Sequence, residues 1–85
     1  MDSAVKEELD RLIHERIRLG IVAALAARNG QVVRRSELIR AAWPVGAIVH
    51  DNTLDVYIAR LRRKLRALGT VAEIATVRGV GYSLR

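Results

Sequence analysis

The segment Thr53–Arg66 restricts the fold of this 85-residue sequence more than any other. On a helical wheel, at about 100° per residue, it separates into an apolar face and a cationic face. The apolar face is a single stripe made of Leu54, Ile58, Leu61 and Leu65. Because such a stripe must be covered, the segment predicts a helix that lies against a core supplied by other elements.

The opposite face of this predicted helix carries Thr53, Val56, Arg60 and Arg63. Such a face suits the major groove of duplex DNA, where phosphates line both walls and base edges lie between them. Arg60 is long enough to bond O6 and N7 of a guanine together, and Val56 suits a thymine methyl. Thr53 offers a methyl to thymine or a hydroxyl to a phosphate. The alternative is a solvated basic face that binds nothing.

The flanks of the same helix are also polar. Tyr57 and Lys64 lie on one flank, and Arg62 and Arg66 lie on the other. We expect Arg62, Arg63, Lys64 and Arg66 mainly to neutralise DNA phosphates, and the Tyr57 hydroxyl to bond one. The alternative is a flank that packs on another helix.

The C-terminal residues 72–85 predict a β-hairpin, with Arg78 beside Gly79 and Gly81 at its turn. Glycine permits positive φ there and lets the backbone approach a partner closely. Arg78 would project from this wing, where a narrow minor groove attracts a guanidinium. Tyr82 is expected in the core. The alternative is a turn that only closes a hairpin.

We expect a single domain over 1–85, mainly α with a small β-sheet. Its class is a winged helix-turn-helix: a three-helix core plus a C-terminal β-hairpin wing. The predicted elements are an N-terminal helical region over 1–28, a second helix over 36–43, a recognition helix over 52–67 and the wing hairpin over 72–85.

The predicted helix ends rest on local signals. The first helical region bends or breaks near His14–Glu15 and ends at Asn29-Gly30, which tolerate a left-handed backbone. Ser36 is the expected N-cap of the second helix. Asn52 is the expected N-cap of the third helix, with Asp55 three residues later completing a capping box. Residues 31–33 are expected to form a short extended piece.

The net charge of +6 is concentrated in one part of the chain. Residues 1–51 hold eight Lys/Arg against seven Asp/Glu, whereas residues 52–85 hold seven against two. A basic balance confined to part of a small domain favours a polyanionic partner, nucleic acid first and an anionic membrane second. We expect no membrane binding, because the apolar stripe of the basic helix is needed for the core.

Several function classes lack the residues they need. The chain has no cysteine, which excludes disulfides and thiolate metal sites, and its two histidines are His14 and His50. We expect no metal, no cofactor and no catalysis. The acidic residues near the start exclude a signal peptide, and the apolar run Ile21–Ala27 is too short to cross a bilayer. A cytoplasmic protein of bacterial type, associated with the nucleoid, is expected.

Residues 30–85 resemble the DNA-binding effector domain of OmpR/PhoB-type response regulators, which belong to two-component systems. The matching motifs are Val33–Leu38, Ala42-Trp43, Asn52–Leu65 and Thr76–Tyr82. The resemblance implies a winged helix that binds direct-repeat promoter sites, often as a head-to-tail pair. It places contacts to bases or phosphates on Thr53, Val56, Arg60 and Arg62, and wing contacts on Thr76 and Arg78. It also implies that loop 43–51 faces RNA polymerase.

The first helix departs from that family. Residues 9–22 resemble the opening helix of small MarR/ArsR-like regulators, which predicts a natural recombinant or an engineered hybrid. We expect no receiver domain and no phosphoacceptor site in these residues. The runner-up interpretation is a protein-interaction module, with a homodimer formed through Leu9, Leu12, Ile13 and Leu19. A hybrid scaffold without a physiological target is a further alternative.

Overall fold

A computed structural model describes residues 2–85 and shows three helices and a small antiparallel sheet. In chain order the elements are α1 (Ser3–Ala27), β1 (Val33–Arg34), α2 (Arg35–Ala42), α3 (Asp51–Ala67), β2 (Ile74–Val77) and β3 (Gly81–Leu84). This confirms the predicted winged helix, with three helices followed by a β-hairpin. None of the helices within residues 2–85 is long and apolar enough to cross a membrane.

Helix α1 runs without interruption through 25 residues, so the break expected near His14–Glu15 is wrong. It begins at Ser3 and is capped by Asp2, whose carboxylate accepts from the Ala4 amide at 3.2 Å. It ends as predicted, because Asn29 and Gly30 have φ of 53° and 89°. Every residue from Asp2 to Arg16 is exposed, and the helix first enters the core at Ile17.

The core lies where the second half of α1 meets α2, α3 and the sheet. Leu54, Ile58 and Leu61 of α3 are at most 6% exposed, and Leu65 packs against them from the edge. The apolar stripe predicted for this helix is therefore confirmed. The other helices and the strands contribute Ile17, Ile21, Leu25, Val33, Leu38, Ala42, Ile74 and Tyr82.

The sheet has the order β1–β3–β2, so the extended piece before α2 pairs with the wing. Val33 lies opposite Tyr82, and Arg34 lies opposite Gly81. At Gly81 an added Cβ would meet the Val33 carbonyl oxygen at 2.0 Å, which no side chain tolerates. Strand β1, which leads directly into α2, thereby joins the wing to the helical core.

The predicted caps of α2 and α3 are wrong. Helix α2 begins at Arg35 rather than after Ser36, and α3 begins at Asp51 rather than after Asn52. Within residues 2–85 neither N-cap residue, Arg34 or His50, makes a side-chain capping bond. The helices are held by tertiary contacts instead, which can replace a local cap.

Candidate nucleic-acid interface

The outer face of α3 is open to solvent. Val56 is 46% exposed, Arg60 and Arg63 are exposed, and Thr53 at the start of the helix is half-buried. The buried stripe on the opposite side fixes the rotation of the helix, so Val56, Arg60 and Arg63 point away from the core. The predicted outward placement is confirmed for these three residues, and Thr53 lies at the edge of the outer face.

Tyr57 does not lie on the outer flank where the sequence placed it. Its side chain is 5% exposed, its hydroxyl shares a short hydrogen bond with His14 Nδ1, and Trp43 meets its ring edge-on at 5.4 Å. The predicted exposed position is therefore wrong for this residue, and the phosphate contact expected of its hydroxyl stays a prediction. The physical reason is that α1 and the end of α2 cover this flank of α3, which gives the phenol a protein partner.

Lys64 lies on the same flank as Tyr57, about two helical turns further along α3. It is exposed, but it lines a shallow groove between α1 and α3 together with Glu15, Leu19 and Val22. Lys64 therefore borders α1 rather than the centre of the outer face. A phosphate contact by Lys64 stays a prediction.

The opposite flank of α3 faces the sheet. Arg62 donates to the Ile74 carbonyl from Nε at 2.9 Å and from Nη2 at 2.8 Å, and Nη2 also donates to Thr76 Oγ1 at 2.8 Å. Arg62 is thus mainly a link between α3 and β2, not the free phosphate ligand that we expected. Arg66 is exposed and lines a pocket with Arg62 and Ile74, so its predicted phosphate contact stays open.

A second link between α3 and the wing is formed by Arg35, Asp55 and Tyr82. Arg35 Nη1 donates to Asp55 Oδ1 at 2.7 Å and to the Tyr82 hydroxyl at 3.3 Å. The Tyr82 hydroxyl in turn donates a short hydrogen bond to Asp55 Oδ1. Asp55 therefore serves this network rather than the capping box that the sequence suggested.

The ionisation of these three groups reflects their contacts. The hydrogen bond from Arg35, with that from Tyr82, holds the pKa of Asp55 below its ordinary value of 3.8. Burial, and then the bond to Asp55, raises the pKa of Tyr82 above 10.0. The pKa of Arg35 is raised, chiefly by its bond to Asp55. The network is thus a charged clamp at neutral pH.

The hairpin turn presents Arg78 to solvent. The turn is closed by a bond from the Val80 amide to the Val77 carbonyl at 3.0 Å, and Gly79 has φ of 75°. Arg78 is exposed, and so is Thr76, which lies two residues earlier on β2. Thr76 accepts from Arg62, which ties one of the two predicted wing contacts to α3.

The sequence reading missed several residues that shape this surface. His14 and Trp43 hold Tyr57 in place. Because His14 lies 43 positions before Tyr57 in the sequence, no local sequence pattern predicts their contact. Asn52 and Ala59, which were not predicted as part of the outer face, are also exposed on that side of α3. Among residues 2–85, no group of three or more His, Asp or Glu side chains is arranged to hold a metal ion.

Comparison with known proteins agrees with this fold. Residues 11–84 match the family described as transcriptional regulatory protein, C terminal. The match begins within α1, so one family accounts for most of that helix, and the hybrid interpretation loses its support.

Individual relatives are regulators of the same kind. The transcriptional regulatory protein YxdJ of Bacillus subtilis is 43% identical over 65 residues, which is 76% of this chain and 28% of YxdJ. The phosphate regulon regulatory protein PhoB of Rhizobium meliloti is 36% identical over 88 aligned residues, covering 91% of this chain and 39% of PhoB. The chain thus spans well under half the length of these relatives.

A solved structure is similar as well. The DNA-binding domain of the response regulator AdeR, solved in complex with an intercistronic region, superposes with a TM-score of 0.71 at 28% identity. The match covers 81% of this chain and 68% of that one. The chain belongs to the OmpR/PhoB-type family of transcriptional regulatory C-terminal domains.

Proposed function

We propose that this domain binds duplex DNA in a sequence-specific manner as part of a transcription regulator, with α3 in the major groove and Arg78 at the adjacent minor groove. The observation that carries the proposal is the outer face of α3, where Val56, Arg60 and Arg63 are exposed directly behind a fully apolar inner stripe. Membership in a family of transcription regulators supports it. The site of action would be the bacterial cytoplasm, on the nucleoid.

Within this proposal the contact residues have different tasks. Arg60 is the candidate for reading a base, Val56 and Thr53 make apolar contacts, and Arg63 binds phosphate. Arg78 enters the minor groove from the exposed hairpin turn. Arg62 and Thr76 bond each other, and they support the angle between helix and wing more than they contact DNA.

The test is a titration of labelled duplex followed by fluorescence anisotropy at several salt concentrations. If about four phosphates are neutralised, the slope of log K against log salt is about −3 to −4. The double variant Arg60→Ala/Arg63→Ala should bind more weakly and with a smaller slope. Arg11→Ala/Arg16→Ala, which removes the same charge from α1, should bind like the wild type. Absence of any anisotropy change at low salt would refute the proposal.

A homodimer through α1 is the second candidate, favoured by one observation. Val5, Leu9 and Leu12 follow one another at the four- and three-residue spacing of a helix-pairing seam, and Leu19 follows seven residues later. Each of the four is at least 43% exposed. At about 100° per residue this stripe lies roughly opposite the face of α1 that enters the core. Helix α1 therefore has two apolar faces, and the domain covers one of them.

The occupant that fits this second face is the α1 of another copy of the chain, because that helix carries the same spacing. Residues 2–16 hold five acidic and three basic side chains. Because both signs are present, electrostatic repulsion between two such helices is small. Ile13, also predicted for the dimer, lies nearer α2, where it lines a groove with Trp43 and Pro44. Dimerisation through the seam would hold two α3 helices on one particle.

Sedimentation velocity at micromolar concentration tests this second candidate. We expect a species of twice 9.5 kDa that Leu12→Glu converts to the monomer, while Leu68→Glu, at another exposed apolar position, leaves it unchanged. A wild-type chain that sediments as a 9.5 kDa monomer at these concentrations would refute the dimer but not the DNA proposal.

Contact between loop 43–51 and RNA polymerase stays a prediction from the family. Within that loop Val45 and Ile48 are fully or almost fully exposed, which leaves apolar side chains available to a protein partner. The whole regulator's activity, its promoter sites and the absence of catalysis stay predictions in the same way.

A further inference from the structure

One contact on α3 joins the exposed outer face to a buried aromatic ring. The Arg60 guanidinium lies over the ring of Tyr57, with Cζ 5.9 Å from the ring centroid. Arg60 is exposed and Tyr57 is 5% exposed, so the arginine rests on an aromatic surface that the domain itself holds in place. A cation above an aromatic face at this distance is attracted to it.

The ring beneath Arg60 is fixed from two other directions. His14 of α1 shares a hydrogen bond with the Tyr57 hydroxyl, and the Trp43 ring packs edge-on against the phenol, with centroids 5.4 Å apart. Helix α1 and the end of α2 therefore both contact this one tyrosine of α3. These contacts hold the ring from other parts of the domain, so Arg60 lies over an aromatic surface that the fold positions.

We propose that Tyr57 is a positioning residue for Arg60, and that it determines sequence specificity without touching DNA. A free arginine samples many rotamers, and ordering it on binding costs conformational entropy. An arginine already held over a fixed ring loses less entropy when it bonds a base edge. This inference rests on the proposed function and assigns one of its residues a supporting role.

The probes are a duplex that the wild-type chain recovers from a random pool and a shuffled duplex of the same composition. The measured quantity is the ratio of the two affinities. Tyr57→Leu should lower this ratio by about three- to tenfold, because the aromatic surface is lost. Tyr57→Phe keeps the ring and should retain most of the wild-type ratio, although it loses the bond to His14.

Two controls separate positioning from a general loss of stability. Ile58→Val weakens the core at the next residue and should leave the ratio unchanged once folding has been checked by circular dichroism. In an Arg60→Ala background, Tyr57→Leu should have no further effect on the ratio, because the arginine that it positions is gone.

The possible results are distinct. An equal loss on both duplexes, or a loss of the same size in the Arg60→Ala background, would overturn the positioning role while the proposed DNA binding stands. If the wild-type chain shows no preference for the selected duplex, the sequence-specific function fails and the inference fails with it.

Discussion

Arg62 of α3 donates two hydrogen bonds to the Ile74 carbonyl of β2, from Nε at 2.9 Å and from Nη2 at 2.8 Å. The same guanidinium reaches Thr76 Oγ1 at 2.8 Å. Together with the clamp of Arg35, Asp55 and Tyr82, this bond fixes the angle between α3 and the wing. The two candidate DNA-binding elements are therefore held as one surface before any DNA is present.

Arg62→Ala should destabilise the domain by about 1.5–3 kcal/mol, because it removes charge-assisted bonds to a backbone carbonyl that is then left without them. Urea unfolding followed by circular dichroism measures the change. Arg66→Ala, an exposed position on the same flank, should change the free energy of unfolding by less than about 0.5 kcal/mol. Equal effects of the two substitutions would show that the Arg62 bonds contribute nothing specific.

Arg60→Ala should reduce discrimination between the selected duplex and a shuffled one by about 1–3 kcal/mol, if Arg60 bonds a guanine edge. Competition binding at fixed salt measures this quantity. The matched variant Arg63→Ala removes the same charge and should weaken binding to both duplexes alike, as expected of a phosphate contact. A reversed pattern would exchange the roles of the two arginines.

Gly81→Ala should destabilise the domain by at least about 2 kcal/mol, because the new methyl overlaps the Val33 carbonyl and forces β1 and β3 apart. Thermal unfolding measures the resulting decrease in melting temperature. Gly46→Ala supplies the control: its Cβ meets nothing within 4 Å, and only its φ of 85° is unfavourable, which costs about 1 kcal/mol. A Gly81 variant no less stable than the Gly46 variant would contradict the observed strand pairing.

The clamp of Arg35, Asp55 and Tyr82 should make the free energy of unfolding fall at both acid and alkaline pH. Because the folded-state pKa of Asp55 is lowered, its contribution is present above 3.8 and is lost as the pH falls through the folded value. Because the pKa of Tyr82 is raised, its contribution is present below 10.0 and is lost as the pH rises through the folded value.

Thermal unfolding across pH measures both limbs. Asp55→Asn should flatten the acid limb, and Tyr82→Phe should flatten the alkaline limb. If each variant kept the wild-type profile, the clamp would not be the origin of that limb.

The part of the fold that follows from periodicity was predictable. The stripe Leu54, Ile58, Leu61 and Leu65 fixed the rotation of α3, and that rotation placed Val56, Arg60 and Arg63 outside. The glycine and asparagine signals at the end of α1 were also sufficient, since a left-handed backbone is a local requirement.

What the sequence left open depends on contacts between distant residues. Tyr57 is a polar aromatic at the edge of the stripe, and its burial is decided by His14 and Trp43, which come from other elements. Arg62 looks like its exposed neighbour Arg63 until β2 supplies an acceptor. Position on a wheel identifies the flank, but the element packed beside that flank decides whether a side chain is free.

The most direct test of the proposed interface is an NMR titration of the labelled domain with the selected duplex, following the backbone amides. The largest shifts should fall on Thr53, Val56, Arg60 and Arg63 of α3 and on Arg78 of the wing, with little change at Leu9 and Leu12 of α1. Shifts concentrated on α1, with α3 unaffected, would contradict the major-groove role of α3.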